Sequence, residues 1–221
     1  MSEKMPEKID VGRAGWDRLF APSSTLAVIT TVNAVGQPNA AAFGTCIRVC
    51  HDPVHIAFTV GTGKDTSNNV LETGQFTVNL PSDDPEQLRQ TVITGDMLPS
   101  EANELEAAGL TALPAVTLRP PRIAEFGRHF ECEVVWTKQW ETRLMVVGAV
   151  MAASCDPGIV NADGYLNWDV ARPAHFCGSG YVDTGSHYFV SAWQVTKAPN
   201  SGQPALSTLA AQRAADRGAG V

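Results

Sequence analysis

Residues 26–60 read LAVITTVNAVGQPNAAAFGTCIRVCHDPVHIAFTV, and this stretch decides the fold. Three runs rich in β-branched and other apolar residues, at 23–33, 40–50 and 54–60, have the composition of β-strands. The first two runs are separated by NAVGQPN and the last two by an Asp-Pro pair, and both separators are typical of turns. The sequence therefore predicts three consecutive strands in an antiparallel meander.

The rest of the chain adds short helices and further strands. A helix with Asp65 or Thr66 as its N-cap is predicted to end at Gly74, and helical spacing also marks 85–95 and 100–109. The remaining predicted strands are 75–81, 129–140, 143–155 and 187–195, with a hairpin turn at Glu141 and Thr142 and an irregular segment from 156 to about 180.

This many strands, joined by turns and by only short helices, favour a mainly β fold in the form of a closed antiparallel barrel. Long helices do not alternate regularly with the strands, so a doubly wound parallel sheet is not expected. We expect one barrel domain over 1–195 and an Ala- and Gly-rich tail over 196–221 that wraps a partner subunit. A short helix is expected at 15–20.

Composition excludes several classes of protein. The chain has 221 residues, of which 44% are hydrophobic and 18% charged, so it has enough apolar material for a core. Its net charge is −7 and its basic residues do not cluster, which argues against a nucleic-acid partner and against a membrane surface. No apolar run has the length of a membrane span and the N-terminus lacks the apolar part of a signal peptide. Five scattered cysteines favour reduced thiols and a cytoplasmic location.

The density of cysteine and histidine in GTCIRVCHDPVH, residues 44–55, raises the question of a metal site. Cys46 and Cys50 are four positions apart, which in a strand separates their side chains by about 13 Å at roughly 3.3 Å per residue. That separation is too long for one metal ion or for a disulfide, so no metal is predicted. His51 and His55 flank the Asp-Pro pair, which leaves their geometry open.

A nucleophilic cysteine is a further candidate. Cys132 and Cys155 lie within apolar β runs and are expected in the core. Cys177, in HFCGSG, is expected in a loop near His175 and stays open as a nucleophile.

The stretch GTGKDT, residues 61–66, is a candidate anion site because a helix is predicted to follow it. A helix N-terminus presents backbone N–H groups and the positive end of its dipole. Lys64 adds a positive charge, and Thr66, Ser67 and Asn68 add polar side chains. Neither a Walker motif nor a GxGxxG fingerprint is present, so a Rossmann nicotinamide site is not supported. An ordinary capped helix stays the alternative.

A set of short motifs occurs in a recognisable order along residues 20–182. These residues are Gly36, Asp52-Pro53, Lys64-Asp65-Thr66, Asn69, Thr73-Gly74, Phe76, Val78-Asn79 and Glu131-Cys132. The ordered set resembles the flavin reductase-like family of FMN-binding split barrels, which includes the flavoredoxins. No single motif is decisive, and the resemblance depends on their order.

The resemblance implies a six-stranded antiparallel Greek-key split β-barrel, a homodimer, and one FMN per subunit. It places the flavin ring along the strand 43–47 and the phosphate at the start of the helix after GTGKDT. The cofactor-binding residues that it implies are Gly44, Thr45, Cys46, Ile47, Lys64, Asp65, Thr66, Asn69 and Asn79. Many members carry Ser or Trp near Gly44 and Cys46, so a role for Cys46 in tuning the flavin stays open.

The resemblance also implies a catalytic residue, His175. In the family's late segment a histidine or arginine precedes Gly and Tyr, here Gly178 or Gly180 and Tyr181, and such a histidine lies near the nicotinamide. The simpler alternative is a loop histidine whose ring is satisfied by the backbone.

The predicted function is that of an FMN-binding flavin reductase, which transfers a hydride from NAD(P)H to flavin and passes electrons to an oxygenase or another redox acceptor. The main alternative is a flavoredoxin-like FMN electron carrier that does not oxidise NAD(P)H. A third is a barrel that serves as a binding protein without flavin.

Overall fold

The computed structural model describes residue 13 and residues 24–96, 102–179 and 187–191. The strands are β1 (Thr25–Val32), β2 (Pro38–His51), β3 (Val54–Gly61), β4 (Gln75–Leu80), β5 (Ala112–Leu113), β6 (Arg122–Ile123), β7 (Arg128–Trp140), β8 (Arg143–Cys155), β9 (Ala174–Ser179) and β10 (His187–Ser191). The helices are α1 (Asp65–Thr73), α2 (Pro85–Ile93), α3 (Glu104–Ala108) and α4 (Trp168–Ala171). The predicted helix at 15–20 and the tail at 196–221 lie outside the described residues.

The barrel closes on β1, which pairs with β2 on one side and with β4 on the other. The strand order β1-β2-β3-β8-β7-β4 returns to β1, and every pairing is antiparallel. This closed six-stranded barrel confirms the predicted fold class. β9 and β10 extend the sheet from the start of β1, outside the barrel.

The barrel interior is filled by aromatic and branched side chains. The ring of Phe58 lies with its centroid 5.1 Å from those of Phe43 and Phe76, in edge-to-face arrangements. Gly148 on β8 makes room for this cluster, because a Cβ atom there would lie 2.5 Å from Cε1 of Phe76. Strands β1, β3, β4 and β8 add Ala27, Ile29, Ile56, Val60, Val78, Leu144 and Val146 to the same core.

The structure corrects two local predictions and confirms a third. β9 occupies part of the segment that was predicted to be irregular, so Cys177 lies in a strand rather than in a loop. Helix α1 begins at Asp65 with Lys64 as its N-cap, so the predicted caps Asp65 and Thr66 are already helical. The β7–β8 hairpin is confirmed, and Glu141 in its turn adopts a positive φ of 45°.

The insert between β4 and β7 forms a second layer on the outside of the barrel. Val28 of β1 and Ala40 of β2 face this layer and pack with Leu105 of α3, Ile123 and Phe126. β1 is therefore covered on both faces, which explains its nearly continuous run of buried residues.

Glu131 fastens the insert to β7. Its side chain is fully buried, and the carboxylate accepts hydrogen bonds from the backbone N–H groups of Val116 at 2.6 Å, Thr117 at 2.7 Å and Leu118 at 3.1 Å. The Thr117 hydroxyl donates a further bond at 2.8 Å. Burial alone would raise the pKa of Glu131, but these hydrogen bonds outweigh it and lower the pKa below its ordinary value.

We predict that Glu131→Gln lowers the free energy of unfolding by about 2–3 kcal/mol at pH 7, because the amide NH2 would face backbone donors. The depressed pKa means that the ionised carboxylate stabilises the fold above its unfolded pKa, near 4.3, and that this contribution is lost as the pH falls through the folded pKa. The free energies of unfolding of the wild type and the variant, measured in urea, should therefore become similar in acid.

The control is Glu133→Gln, two residues along the same strand and exposed to solvent. It should change the unfolding free energy by less than about 0.5 kcal/mol. Equal losses for the two variants would contradict the role given to Glu131.

Candidate functional site

A cleft of about 440 Å³ opens on the barrel between β2, the start of α1 and the turn after α2. Its volume is in the range of sites for organic ligands and cofactors. The lining comes from six parts of the chain: residues 39–43, 60–61, 64–66 and 94–96, together with Glu104 and Arg143.

The turn between β3 and α1 shapes one end of this cleft. Gly63 adopts a φ of 75°, a left-handed conformation that favours glycine, and Lys64 is extended before the helix begins. The Ser67 hydroxyl donates to the Lys64 carbonyl at 2.7 Å and fixes the first turn. The first N–H groups of a helix have no partner within the helix, so this end of the cleft can accept an anion.

Thr66 is held in this cleft by a network of buried polar side chains. Its Oγ1 accepts a hydrogen bond from Nδ2 of Asn39 at 3.0 Å, which leaves the hydroxyl hydrogen for an acceptor in the cleft. Thr31 joins the network, because its Oγ1 accepts from Nδ2 of Asn69 at 3.0 Å and lies 3.4 Å from Nδ2 of Asn39. The strands β1 and β2 thereby position the start of α1.

Two cations and three carboxylates line the cleft. Arg143, the first residue of β8, is paired with Gly61, the last residue of β3. It therefore lies at the end of the cleft where α1 begins, near Lys64. The carboxylates are those of Asp65, Asp96 and Glu104. Lys64, Arg143, the Thr66 hydroxyl and the helix N–H groups together form a donor set suited to a phosphate.

A side compartment of about 200 Å³ continues from the cleft. The two spaces share Ala42, Phe43, Gly95 and Asp96 in their walls. The rest of its lining comes from β1, β2, α2, β9 and β10 and is mostly apolar and aromatic, with Thr91 and His187 as polar members. The aromatic side chains are Phe43, Phe176 and Phe189.

The contact between Gly44 of β2 and Phe176 of β9 shapes one wall of the compartment. A Cβ atom on Gly44 would lie 2.8 Å from Cδ1 and 3.2 Å from Cβ of Phe176. The second distance involves the base of the phenylalanine side chain, so rotation of the ring alone could not relieve it. The absence of a side chain at residue 44 is therefore what lets β9 approach β2.

A family model described as the flavin reductase like domain matches residues 21–185. The chain belongs to this family. This flavin reductase-like protein is also similar to an uncharacterized protein of Aquifex aeolicus strain VF5, with 30% identity over 158 residues that cover 69% of this chain and 80% of the relative.

Two solved structures share the fold of this flavin reductase-like protein. Flavoredoxin of Desulfovibrio vulgaris (Miyazaki F) is 20% identical with a TM-score of 0.69, covering 81% of this chain and 92% of the flavoredoxin. Nitrilotriacetate monooxygenase component B from Bacillus cereus is 19% identical with a TM-score of 0.72, covering 89% of this chain and 100% of component B. At these identities the likeness supports the split-barrel fold alone.

The part of β2 that lines the cleft and the compartment only partly overlaps the segment predicted to contact the flavin. The lining runs from Asn39 to Gly44 across the cleft and the compartment, whereas the prediction placed the flavin along 43–47. Thr45 is exposed and its hydroxyl exchanges hydrogen bonds with the backbone of Thr59 at 3.2 and 3.3 Å. Of the four β2 residues predicted to contact flavin, only Gly44 lines either of the two spaces, and it lines the compartment.

A bulge in β2 explains the shift. Thr25 pairs with Cys46 but Ala27 pairs with Phe43, so β2 carries an extra residue between these pairs. Phe43 and Cys46 consequently both pack with the barrel core. Ile47 lies beyond the bulge and, with Cys46, lines a separate apolar hollow of about 280 Å³.

Cys46 is a core thiol. Only 4% of the residue is exposed, and burial raises the pKa of its thiol to about 12. It is therefore uncharged at neutral pH and faces the barrel interior, which argues against a reactive role beside a flavin. Cys132 is also buried, and its pKa is raised for the same reason.

The helix residues of the prediction divide into two groups. Lys64, Asp65 and Thr66 line the cleft, as a phosphate site there requires. Asn69 lies one turn further along α1, where it is buried against Thr31 and lines a small polar hollow beside the cleft.

Asn79 lies outside the cleft, under the insert. Its Nδ2 donates to the Val28 carbonyl at 3.2 Å and to Oγ1 of Thr30 at 3.1 Å. Its Oδ1 accepts from the backbone N–H of Ile123 at 3.0 Å and lies 3.0 Å from Nδ1 of His129. These contacts use the amide to join β1, β4 and β7, which gives Asn79 a structural role, and its place near a flavin ring stays a prediction.

His175 does not line the cleft or the compartment. Its Nδ1 bonds to the carbonyl of Ser24 at 2.9 Å, which matches the simpler alternative of a ring satisfied by the backbone. Successive side chains of a strand point to opposite faces, and Phe176 faces the compartment. The structure therefore places His175 outside the cleft and the compartment, and its role near a nicotinamide stays a prediction. Gly180 and Tyr181 lie outside the described residues.

Sequence reasoning missed several residues of this site, among them Asp96, Arg143, Phe176 and His187. Arg143 could have been found from the register of β8 against β3, because the first residue of β8 must lie beside the end of β3. The other three come from the turn after α2 and from β9 and β10, whose positions depend on tertiary packing that no local signal records.

The described residues contain no cluster of three His, Cys, Asp or Glu side chains that could hold a metal ion. Within the same part of the chain, no helix combines the length and apolar character needed to cross a membrane.

We predict that Gly44→Ala lowers the free energy of unfolding by about 1–3 kcal/mol, because the added methyl group would push β9 away from β2. Gly61→Ala is the matched control, since a Cβ there would meet Cγ of Lys64 at an ordinary contact of 3.5 Å. Urea unfolding of both variants measures the difference. Equal free energies of unfolding for the Gly44→Ala and Gly61→Ala variants would show that Phe176 is not packed against Gly44.

Proposed function

We propose that the cleft binds FMN and that the protein is a flavin reductase that accepts electrons from NAD(P)H. The main observation behind this proposal is the cleft itself, which joins an end suited to a phosphate, at α1, to the strand segment 39–43. The family match supports flavin as the ligand, and the donor set at α1 favours a phosphorylated flavin over riboflavin.

Each part of the cleft would have a separate task. Lys64, Arg143, the Thr66 hydroxyl and the α1 N–H groups would bind the phosphate. The backbone of Ala41 to Gly44 would lie along the polar edge of the ring, where backbone hydrogen bonds orient and tune a flavin. Bound flavin would supply the hydride chemistry, and the protein would leave one face of the ring open toward the side compartment.

The side compartment favours a reductase over a simple carrier, because it offers a second ligand a place next to the cleft. A carrier needs only an exposed flavin edge. The structural likeness to a flavoredoxin keeps the carrier as the second candidate. In either case we propose an oxygenase or another redox protein as the acceptor, in the cytoplasm.

We also propose that the protein is a homodimer. On the long β7–β8 hairpin, Val135, Trp136 and Met151 are each about half exposed, which is typical of an interface rather than of a solvated strand. In this proposal residues 1–195 form the barrel domain and the tail at 196–221 reaches the partner subunit.

We predict that Lys64→Ala raises the dissociation constant of FMN about tenfold and leaves that of riboflavin nearly unchanged, because Lys64 would contact only the phosphate. Thr66→Val should weaken FMN binding in the same selective way. Titration of flavin fluorescence measures both ligands. The control is Lys138→Ala, an exposed lysine on β7. Equal weakening of FMN and riboflavin would place the phosphate elsewhere.

We predict that FMN bound to the protein is reduced by NADH or NADPH in anaerobic stopped-flow mixing, read from the loss of its visible absorbance. Reduction should saturate with nicotinamide concentration, because the reductant binds before it reacts. Bound FMN that neither nicotinamide reduces would contradict the reductase and favour the carrier.

A further inference from the structure

We propose that the apolar hollow beside Cys46 binds a small apolar monocarboxylate of the size of a medium-chain fatty acid, with its chain in the hollow and its carboxylate on Arg48. The hollow lies at the opposite end of the barrel from the cleft. It takes residues from the starts of β1 and β3, whereas the cleft takes residues from the end of β3. No described residue lines both spaces, so this inference is independent of the proposed flavin site.

The walls of the hollow are hydrophobic and come from strands β2, β3, β4 and β7. Ile56 and Val78 are buried, whereas Ile47 and Val54 are exposed, so the hollow runs from the surface into the barrel core. Leu80 and Phe130 belong to the same lining. An apolar chain bound there would remove the exposed part of this surface from water, which favours binding.

The volume of the hollow sets the size of its ligand. An apolar cavity of about 150 Å³ is enough to hold benzene, which has six carbon atoms. By the same ratio, the hollow of about 280 Å³ has room for about eleven non-hydrogen atoms. A carboxylic acid of eight to ten carbon atoms has about that size, and a flavin is far larger.

Arg48 is the one charged side chain in the described lining of the hollow. Its cross-strand partner is Ile56, and cross-strand partners have their side chains on the same face of a sheet, so the arginine stem follows the apolar wall. Arg48 is exposed and makes no hydrogen bond or ion pair within the described part of the chain. Its guanidinium is therefore available to a ligand at the mouth of the hollow.

The single charge selects the head group of the ligand. A guanidinium binds a carboxylate through two parallel hydrogen bonds. The described lining has no second cation, which disfavours a dianionic phosphate, and no carboxylate, which disfavours an amine. Burial raises the pKa of the Cys46 thiol to about 12, so this wall is uncharged at neutral pH and suits the apolar end of the ligand.

The test uses the full-length protein and three probes with the same chain, octanoate, octan-1-ol and octylamine, in ligand-observed NMR titrations at pH 8. Octanoate should bind about tenfold more tightly than octan-1-ol, and octylamine should bind most weakly. The affinity of the carboxylates should rise about three- to fourfold for each methylene added to butanoate. The rise should level off at nine or ten carbon atoms, where the hollow is full.

Arg48→Met should raise the dissociation constant of octanoate about tenfold and leave that of octan-1-ol within about twofold, because it removes the charge and keeps an unbranched stem. The matched control is Arg89→Met, an exposed arginine on α2 that does not line the hollow. Loss of both ligands in Arg48→Met would show that the stem, and not the charge, holds the ligand, and would overturn the choice of a carboxylate.

Val54→Trp tests the hollow itself, because the larger side chain would fill its mouth. This variant should raise the dissociation constants of octanoate and octan-1-ol at least about tenfold. Val160→Trp, at another exposed valine, is its control. Because Val54 and Arg48 are both exposed, the variants should fold normally, and thermal unfolding of each variant checks this.

Other results overturn the inference while the flavin proposal stands. One is octanoate binding that neither Arg48→Met nor Val54→Trp changes. Another is the absence of saturable binding, which would mean that another segment of the chain or a second copy covers the hollow. Octanoate should bind equally with and without FMN, and displacement of one by the other would place octanoate in the cleft. Failure of FMN to bind would overturn the proposed function alone.

Discussion

The pairing of β1 with both β2 and β4 is the constraint on which the rest of the structure depends. It closes six strands into a barrel, and it places the ends of β2, β3 and β8 around the start of α1. β1 can take this central position because its residues are small or branched. They are covered on both faces, by the barrel core and by the insert. The polar exceptions, such as Thr31, are used to hold α1 in place.

The candidate site follows from that closure. The start of α1 faces β2, so the helix N–H groups and Lys64 come together with Arg143 at one end of the cleft. The chain as a whole carries a charge of −7, and the local donors therefore matter more than the overall field for an anionic ligand. The bulge in β2 then turns Cys46 into the barrel core and leaves Asn39 to Phe43 along the cleft.

Most of the barrel could be predicted from the sequence, because β2, β3, β7 and β8 are long β-rich runs bounded by turn residues. The start of α1 was also predictable to within one residue, since Lys64 and Thr66 stand in a stretch with a local helix-start signature. Cys46, Asn79 and His175 lie outside the cleft, which their sequence motifs did not reveal, for a common reason. Which face of a strand a residue occupies depends on bulges and on neighbours distant in the sequence, and neither is visible in a short motif.

The position of the β9–β10 extension beside the site also depends on contacts between residues distant in the sequence. Phe176 and His187 enter the site only because residue 44 has no side chain and lets β9 approach β2. The sequence alone does not indicate that Gly44 and Phe176 are in contact. In the folded structure, the contact between the two residues shapes the compartment.

A crystal structure of the protein with bound FMN is the most direct test of the account. We expect the phosphate within hydrogen-bond distance of Lys64 and the Thr66 hydroxyl, and the ring along residues 41–44 with one face toward Phe176. FMN bound instead in the apolar hollow beside Cys46 and Phe130, or away from β2 altogether, would contradict it.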